Sequence, residues 1–194
     1  MTIDWHEKIT DFMLDKFVET GFLIIDNCFE ADFLQKLQHE SGFIEYQEAH
    51  LTHGERVTNI RGDSTRWLDE SLPIGWQYLQ AIDRLGQFFN QTLYAGIRHC
   101  EAHYARYPVG FGYQWHSDNP VGRDERVISA VFYLNDNWGE HDGGEIELTD
   151  KQNHQQKLLP KANRLVVFDS NLLHQVAITH RERFSIATWM RKDD

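Results

Sequence analysis

The chain is poor in cysteine: Cys28 and Cys100 are its only two, and they stand far apart. That is too few for a disulfide framework, so each reads as a small buried residue in a reducing compartment. Long apolar runs are also missing. No stretch approaches the roughly 18 consecutive apolar residues that cross a bilayer, and the first residues are acidic and polar where a leader would be basic and then apolar. A cytoplasmic location without a membrane partner is the expectation. Positive charge is scarce too: the formal net charge is -11. Arg123 with Arg126 and Arg181 with Arg183 form no long stripe, so phosphate backbones are repelled and nucleic acid is not an expected partner. There is no internal repeat and no low-complexity segment.

What is present fits one substantial core: 194 residues, 41% of them apolar. A single domain over 1–194 is expected, either monomeric or homodimeric. Aromatic residues make up 13%, with six tryptophans, enough to wall a cavity as well as to fill a core.

Periodicity divides the chain. Trp5, Ile9, Phe12, Met13 and Phe17 recur at helical spacing, predicting one helix over 5–20 that Gly21 ends. A strand follows at 21–26, then a helix over 30–40 closed by Ser41-Gly42. Residues 47–66 show no sustained period and read as a mobile loop or weak hairpin. Leu79, Ile82, Leu85, Phe88 and Phe89 predict a helix over 79–93. Strand-like runs then fill 97–107, 126–134, 145–148, 164–168 and 184–190. Helices first and strands after predict an α+β protein: helices brace one side of a largely antiparallel sheet that can curl into a two-layer barrel, with 1–95 mainly helical support and 96–191 mainly sheet.

His116-Ser117-Asp118 places an imidazole and a carboxylate two residues apart, on one face if the segment is a strand. Alone the pattern is weak, because a histidine hydrogen-bonded near an exposed aspartate looks the same. A second histidine, His174, follows the run 164–168 and a short turn, where the sheet can bring it alongside. Two histidines and one carboxylate form a facial triad suited to iron(II), with open positions for a bidentate co-substrate and oxygen. Nine positions on, Arg183 begins a run in which Arg183, Ser185, Ala187 and Trp189 alternate with apolar residues. If that set faces a cavity, the guanidinium needs a carboxylate that its own strand does not supply, and a bound dicarboxylate would provide one. The alternative is an edge strand with Arg183 in solvent. Ser129, Val131 and Tyr133 share a face on a neighbouring strand, so the Tyr133 hydroxyl either supplements Arg183 or is an ordinary core group. His99 and His103 lack the third ligand of a local zinc motif, and His50, His53, His141, His154 and His180 lie in polar stretches.

Taken together, Ile60-Arg-Gly-Asp-Ser-Thr-Arg-Trp67, Tyr113 to Pro120, Tyr133-Leu-Asn, Gly143-Gly144 and His174 to Arg183 followed by Trp189 resemble the prolyl-hydroxylase branch of the 2-oxoglutarate and iron(II)-dependent oxygenases. The chain is similar to the hypoxia-inducible-factor prolyl hydroxylases and their bacterial relatives from about Gly21 to Arg191. The resemblance implies a double-stranded β-helix, or distorted jelly roll. It implies Fe(II), 2-oxoglutarate and O2 as cofactor and co-substrates, with ascorbate as an accessory reductant. It assigns His116, Asp118 and His174 to the metal, Arg183 with Tyr133 to the distal carboxylate of 2-oxoglutarate, and Tyr107, Tyr113, Val131, Ile146 and Trp189 to the pocket lining. Arg61, Asp63, Trp67 and Arg126 would help to form a substrate groove beside the 47–67 segment. The implied reaction is hydroxylation of a proline in a protein, for which a translation factor or ribosomal protein is a reasonable class. The alternatives are a free amino acid or small molecule as substrate, and a silent jelly-roll module that binds only metal or a partner. Two departures stand out: Ala187 occupies the place of the family's threonine near the co-substrate, and the segment from Asp118 to Tyr133 is one residue longer.

Overall fold

The computed structural model describes residues 3–48, 61–119 and 122–193. The expected helix over 5–20 is two helices, α1 (Trp5–Lys8) and α2 (Asp11–Thr20). Ile9 is extended and buried, and the Thr10 hydroxyl accepts from Met13 N–H at 3.3 Å to start α2. The break turns Phe12 outward, 70% exposed, rather than into the shared apolar face. Gly21 does end α2, with φ of 85° in the left-handed region that costs glycine nothing. Strand β1 (Phe22–Ile25) follows, then α3 (Ala31–Phe43), which runs through Ser41-Gly42 instead of stopping there. Ser41 is buried and bonded to the Tyr46 hydroxyl at 2.7 Å, so helix packing overrides its turn propensity.

The ends of the unpatterned stretch pair as a hairpin: β2 (Gln47–Glu48) lies against β3 (Ser64–Trp67), with Gln47 opposite Thr65. The rest of that predicted loop, 49–60 with His50 and His53, lies outside the described residues. Helix α4 (Pro73–Leu93) begins six residues before the predicted start. Its N-cap, Leu72, offers no side-chain bond; Glu40 of α3 accepts instead from Ile74 and Gly75 N–H, at 3.0 and 2.7 Å, and from the Tyr104 hydroxyl at 2.8 Å. Such a cap comes from another helix and leaves no local mark.

The remaining strands are β4 (His99–Tyr107), β5 (Tyr113–His116), β6 (Arg126–Tyr133), β7 (Ile146–Thr149), β8 (Gln155–Leu158), β9 (Leu165–Asp169), β10 (His174–Val176) and β11 (Arg183–Arg191). They form a seven-stranded sheet, β1-β9-β6-β11-β4-β3-β2, and a four-stranded sheet, β5-β10-β7-β8, with antiparallel neighbours throughout. This is the distorted jelly roll, braced by helices. β8 had no counterpart among the predicted strands: Gln155, Gln156 and Lys157 are too polar to read as one, and it sits at the sheet edge.

Strand alternation sorts side chains between two compartments. Ile128, Ala130 and Phe132 of β6 and Ile186 and Met190 of β11 join Phe17, Leu37, Tyr78, Ile82, Leu85 and Phe89 of the helices in the main core. The intervening residues Ser129, Val131, Ser185, Ala187 and Trp189 point between the sheets and line a cavity of about 820 Å³. Tyr133, Ile146, Leu148, Val166, Phe168 and Leu172 form a second apolar cluster. Among the described residues no helix is long and apolar enough to cross a membrane. Both cysteines are free; Cys28 is buried and Cys100 only half-buried.

Candidate active site

β5 and β10 pair antiparallel with His116 directly opposite His174, which sets the two imidazoles 4.2 Å apart between ring centres. Asp118 does not share a strand with His116, as the two-residue spacing had suggested; β5 ends at His116. Its backbone N–H instead donates to Ser170 O at 3.0 Å, just beyond β9. One carboxylate oxygen lies 3.9 Å from His116 Nε2 and the other 3.7 Å from His174 Nε2. One ligand atom from each of the three residues falls within 4.8 Å of the others.

The donor set suits a divalent cation. Nδ1 of His174 lies 2.9 Å from Leu172 O and Nδ1 of His116 lies 2.7 Å from Gln114 O. A carbonyl only accepts, so each Nδ1 carries a hydrogen, and Nε2 is the nitrogen that each ring turns to the centre. Burial, and then the neighbouring His174, lower the His116 pKa to about 4, so the ring is neutral at neutral pH. For Asp118 burial alone would favour the protonated form, but His174, His116 and the Ser129 hydroxyl together hold it below the usual carboxylate range. Two imidazoles and one carboxylate facing an open cavity match iron(II) with positions to spare.

Arg183 stands at the start of β11, 1% exposed, in the same cavity wall. Its Nε donates to Gly144 O at 2.9 Å and its Nη1 to the Ser185 hydroxyl at 3.1 Å, while its Cζ lies 4.9 and 5.1 Å from the centres of the Tyr107 and Tyr133 rings. Among the described residues no carboxylate pairs with it. The solvent-facing alternative is therefore excluded. The Gly143-Gly144 pair makes room: both have positive φ, and a Cβ on Gly144 would sit 3.0 Å from Arg183 Cδ, while one on Gly143 would meet Ile178 O at 2.4 Å. Tyr133 is fully buried and off the cavity wall, and its hydroxyl has no hydrogen-bond partner among the described residues. Burial pushes its pKa up, with Arg183 pulling the other way.

Tyr107, Tyr113, Val131, Ile146, Ala187 and Trp189 line the cavity. So do all four expected groove residues. Arg61 forms a two-point ion pair with the buried Asp63, at 2.7 and 3.1 Å, and its guanidinium lies 5.1 Å from the Tyr113 ring centre. Tyr113 in turn stacks on His116 at 3.7 Å. Arg126 stacks 4.0 Å over Trp189 and donates to Glu101 at 3.2 Å. Trp67 is half-exposed and packs on His103 and Trp189, at 5.0 and 6.0 Å.

The sequence reading missed the place of three groups in the site. His103, set aside there as lacking a zinc motif, is a buried cavity-wall residue, and counting back by twos from Tyr107 along β4 would have found it. Ser129 and Ser170, both buried, contact each other and Asp118. Ser170 carried no signal, because a turn brings it there.

Comparison with known proteins follows the same geometry. The 2OG-Fe(II) oxygenase superfamily pattern matches residues 102–191, from β4 through β11. A prolyl-4-hydroxylase of Pseudomonas putida superposes with a TM-score of 0.85 at 32% identity, covering 94% of this chain and 98% of that one. The chain belongs to the 2-oxoglutarate and iron(II)-dependent oxygenases. Within them it falls in the prolyl-hydroxylase branch. A Trichoplax adhaerens prolyl hydroxylase, solved in complex with a hypoxia inducible factor oxygen degradation domain peptide fragment, superposes at TM-score 0.85 and 28% identity, covering 93% of this chain and 87% of that one. The hypoxia-inducible factor prolyl hydroxylase of Caenorhabditis elegans is 28% identical over an alignment of 202 positions that covers 93% of this chain but only 28% of that protein's length. This oxygenase is accordingly a dioxygenase that uses Fe(II), 2-oxoglutarate and O2.

Proposed function

We propose that this oxygenase hydroxylates a proline in a protein substrate, with His116, Asp118 and His174 holding the iron and Arg183, aided by Tyr133, holding the distal carboxylate of 2-oxoglutarate. The observation that carries the reading is Arg183: a buried guanidinium, without an acidic partner among the described residues, in the cavity that also contains the three-ligand cluster. An unpaired buried charge costs several kcal/mol, on the order of a whole domain's margin of stability. A dicarboxylate supplies the missing anion bidentately, and the unpartnered Tyr133 hydroxyl is a further donor close by.

Bound iron supplies the redox chemistry that couples decarboxylation of 2-oxoglutarate, to succinate and carbon dioxide, with oxygen insertion into a C–H bond. The chain contributes placement. The carbonyls of Gln114 and Leu172 fix the two imidazoles with Nε2 inward, and Asp118 stays ionised between them. Tyr107, Tyr113, Val131, Ile146 and Trp189 wall the co-substrate in and limit water. Arg61, Asp63, Trp67 and Arg126 fringe the cavity and form one side of a groove for an extended chain. The prolyl hydroxylases among the relatives support proline as the target. A translation factor or ribosomal protein, met in the cytoplasm by a monomer or homodimer with ascorbate keeping the iron reduced, completes the reading.

Anaerobic addition of iron(II) and 2-oxoglutarate should raise the weak visible charge-transfer band of the chelate, and admitted oxygen should yield succinate. His174→Ala loses both. Arg183→Ala keeps iron binding but raises the 2-oxoglutarate requirement by about 2–5 kcal/mol, roughly 30- to several-thousand-fold; an unchanged requirement removes Arg183 from the site. Mass spectrometry of lysate proteins for one added oxygen on proline tests the substrate, and its absence despite turnover favours a small molecule.

A further inference from the structure

Asp118 is the one member of the ligand cluster that lies outside a regular strand, so something other than the sheet ladder must orient it. The Ser129 hydroxyl lies 2.5 Å from Asp118 Oδ2, and Ser129 Oγ lies 2.8 Å from Ser170 Oγ. An ionised carboxylate only accepts, so the single Ser129 hydrogen goes to Asp118, and the Ser170 hydroxyl must donate to Ser129. The bonds therefore run one way, from Ser170 to Ser129 to Asp118. The backbone closes the loop, since Asp118 N–H donates to Ser170 O at 3.0 Å. Ser129 and Ser170 are 2% and 0% exposed, so water does not compete for these bonds. Ser129 is fixed by the large sheet, opposite Phe168 of β9 and Trp189 of β11, whereas His116 and His174 belong to the small one.

The geometry points to Ser129, backed by Ser170, as the positioning residue that ties Asp118 Oδ2 to the large sheet and thereby presents Oδ1 to the metal at a fixed distance from the two histidines of the small sheet. The inference rests on the metal-site reading above. Successive donors polarise one another, so the Ser170 hydroxyl strengthens the bond that Ser129 makes. Partners of this kind typically set metal affinity by about 10- to 100-fold.

The test titrates metal-free protein with Co(II) and follows its visible absorption, a readout of affinity and ligand geometry that needs no turnover. Ser129→Ala should weaken Co(II) binding by about tenfold or more and change the band shape, with the circular dichroism spectrum unchanged. Ser129→Thr, which keeps the hydroxyl, should restore both, and Ser170→Ala should give a smaller loss. A merely structural Ser129 would lower the melting temperature and leave the Co(II) spectrum alone. Asp118→Ala separates the two levels of the argument. If it abolishes binding while Ser129→Ala binds Co(II) like the parent, the positioning role is overturned and the metal site stands. If Asp118→Ala itself binds normally, the metal-site reading falls and this inference with it. Should Ser129→Ala fail to fold, Ser170→Ala decides, and unchanged affinity and spectrum there overturn the relay.

Discussion

The two faces of the seven-stranded sheet are made from alternate residues of the same strands, yet they obey different rules. On the helix side β6 and β11 offer Ile128, Ala130, Phe132, Ile186 and Met190, which need only be apolar and of the right volume. On the cavity side the same strands offer Ser129, Val131, Arg183, Ser185 and Trp189, where the chemistry of each side chain matters. Charge divides likewise. The chain carries a net charge of -11, but the cavity wall holds six arginines against five carboxylates, a local bias that favours an anionic co-substrate inside an acidic protein. One face supplies stability, the other the site.

Substitutions on the two faces should therefore separate the two properties. Phe132→Ala, which empties a fully buried position in the main core, should cost about 3–5 kcal/mol of unfolding free energy while the folded fraction keeps its 2-oxoglutarate affinity. Urea unfolding with parallel ligand titration checks it, and a large affinity change would show that the faces are not independent. His103 sharpens the contrast from the cavity side. Burial lowers its pKa to about 4 against the ordinary 6.5, with Arg61 and Arg126 adding to the effect and Asp63 opposing it. Between those values the unfolded chain binds the proton and the folded chain does not, so stability falls as pH drops from about 6.5 to about 4. The loss is on the order of 3 kcal/mol by linkage, and His103→Leu should lack this share of the pH dependence in melts across that range. The smallest effect belongs to neither face. Thr10→Ala removes the cap of α2 and should cost about 1 kcal/mol, seen as a small drop in melting temperature with activity intact.

The sequence showed most clearly what repeats. The apolar face of α4 and the alternation of Arg183, Ser185, Ala187 and Trp189 were legible because each obeys a period that one element enforces. Features created by two distant elements were not. His116 and His174 could be paired as chemistry, but their face-to-face register is a property of β5 meeting β10. The break at Ile9 was hidden because Phe12 keeps the helical spacing while pointing outward, and the Glu40 cap on α4 comes from another helix. Ser129 was seen as sharing a face with Tyr133, but its bond to Asp118 depends on where the chain turns after β5.

The division of β11 between two compartments also limits how its gene can change. Deleting or inserting one codon inside Arg183–Arg191 would send Phe184 toward the cavity and the guanidinium into the apolar side, disrupting both faces at once. Point changes on either side are far milder. Descendants of this chain are thus free to drift in side-chain identity along that strand but not in its length, and length variation is pushed into the connections.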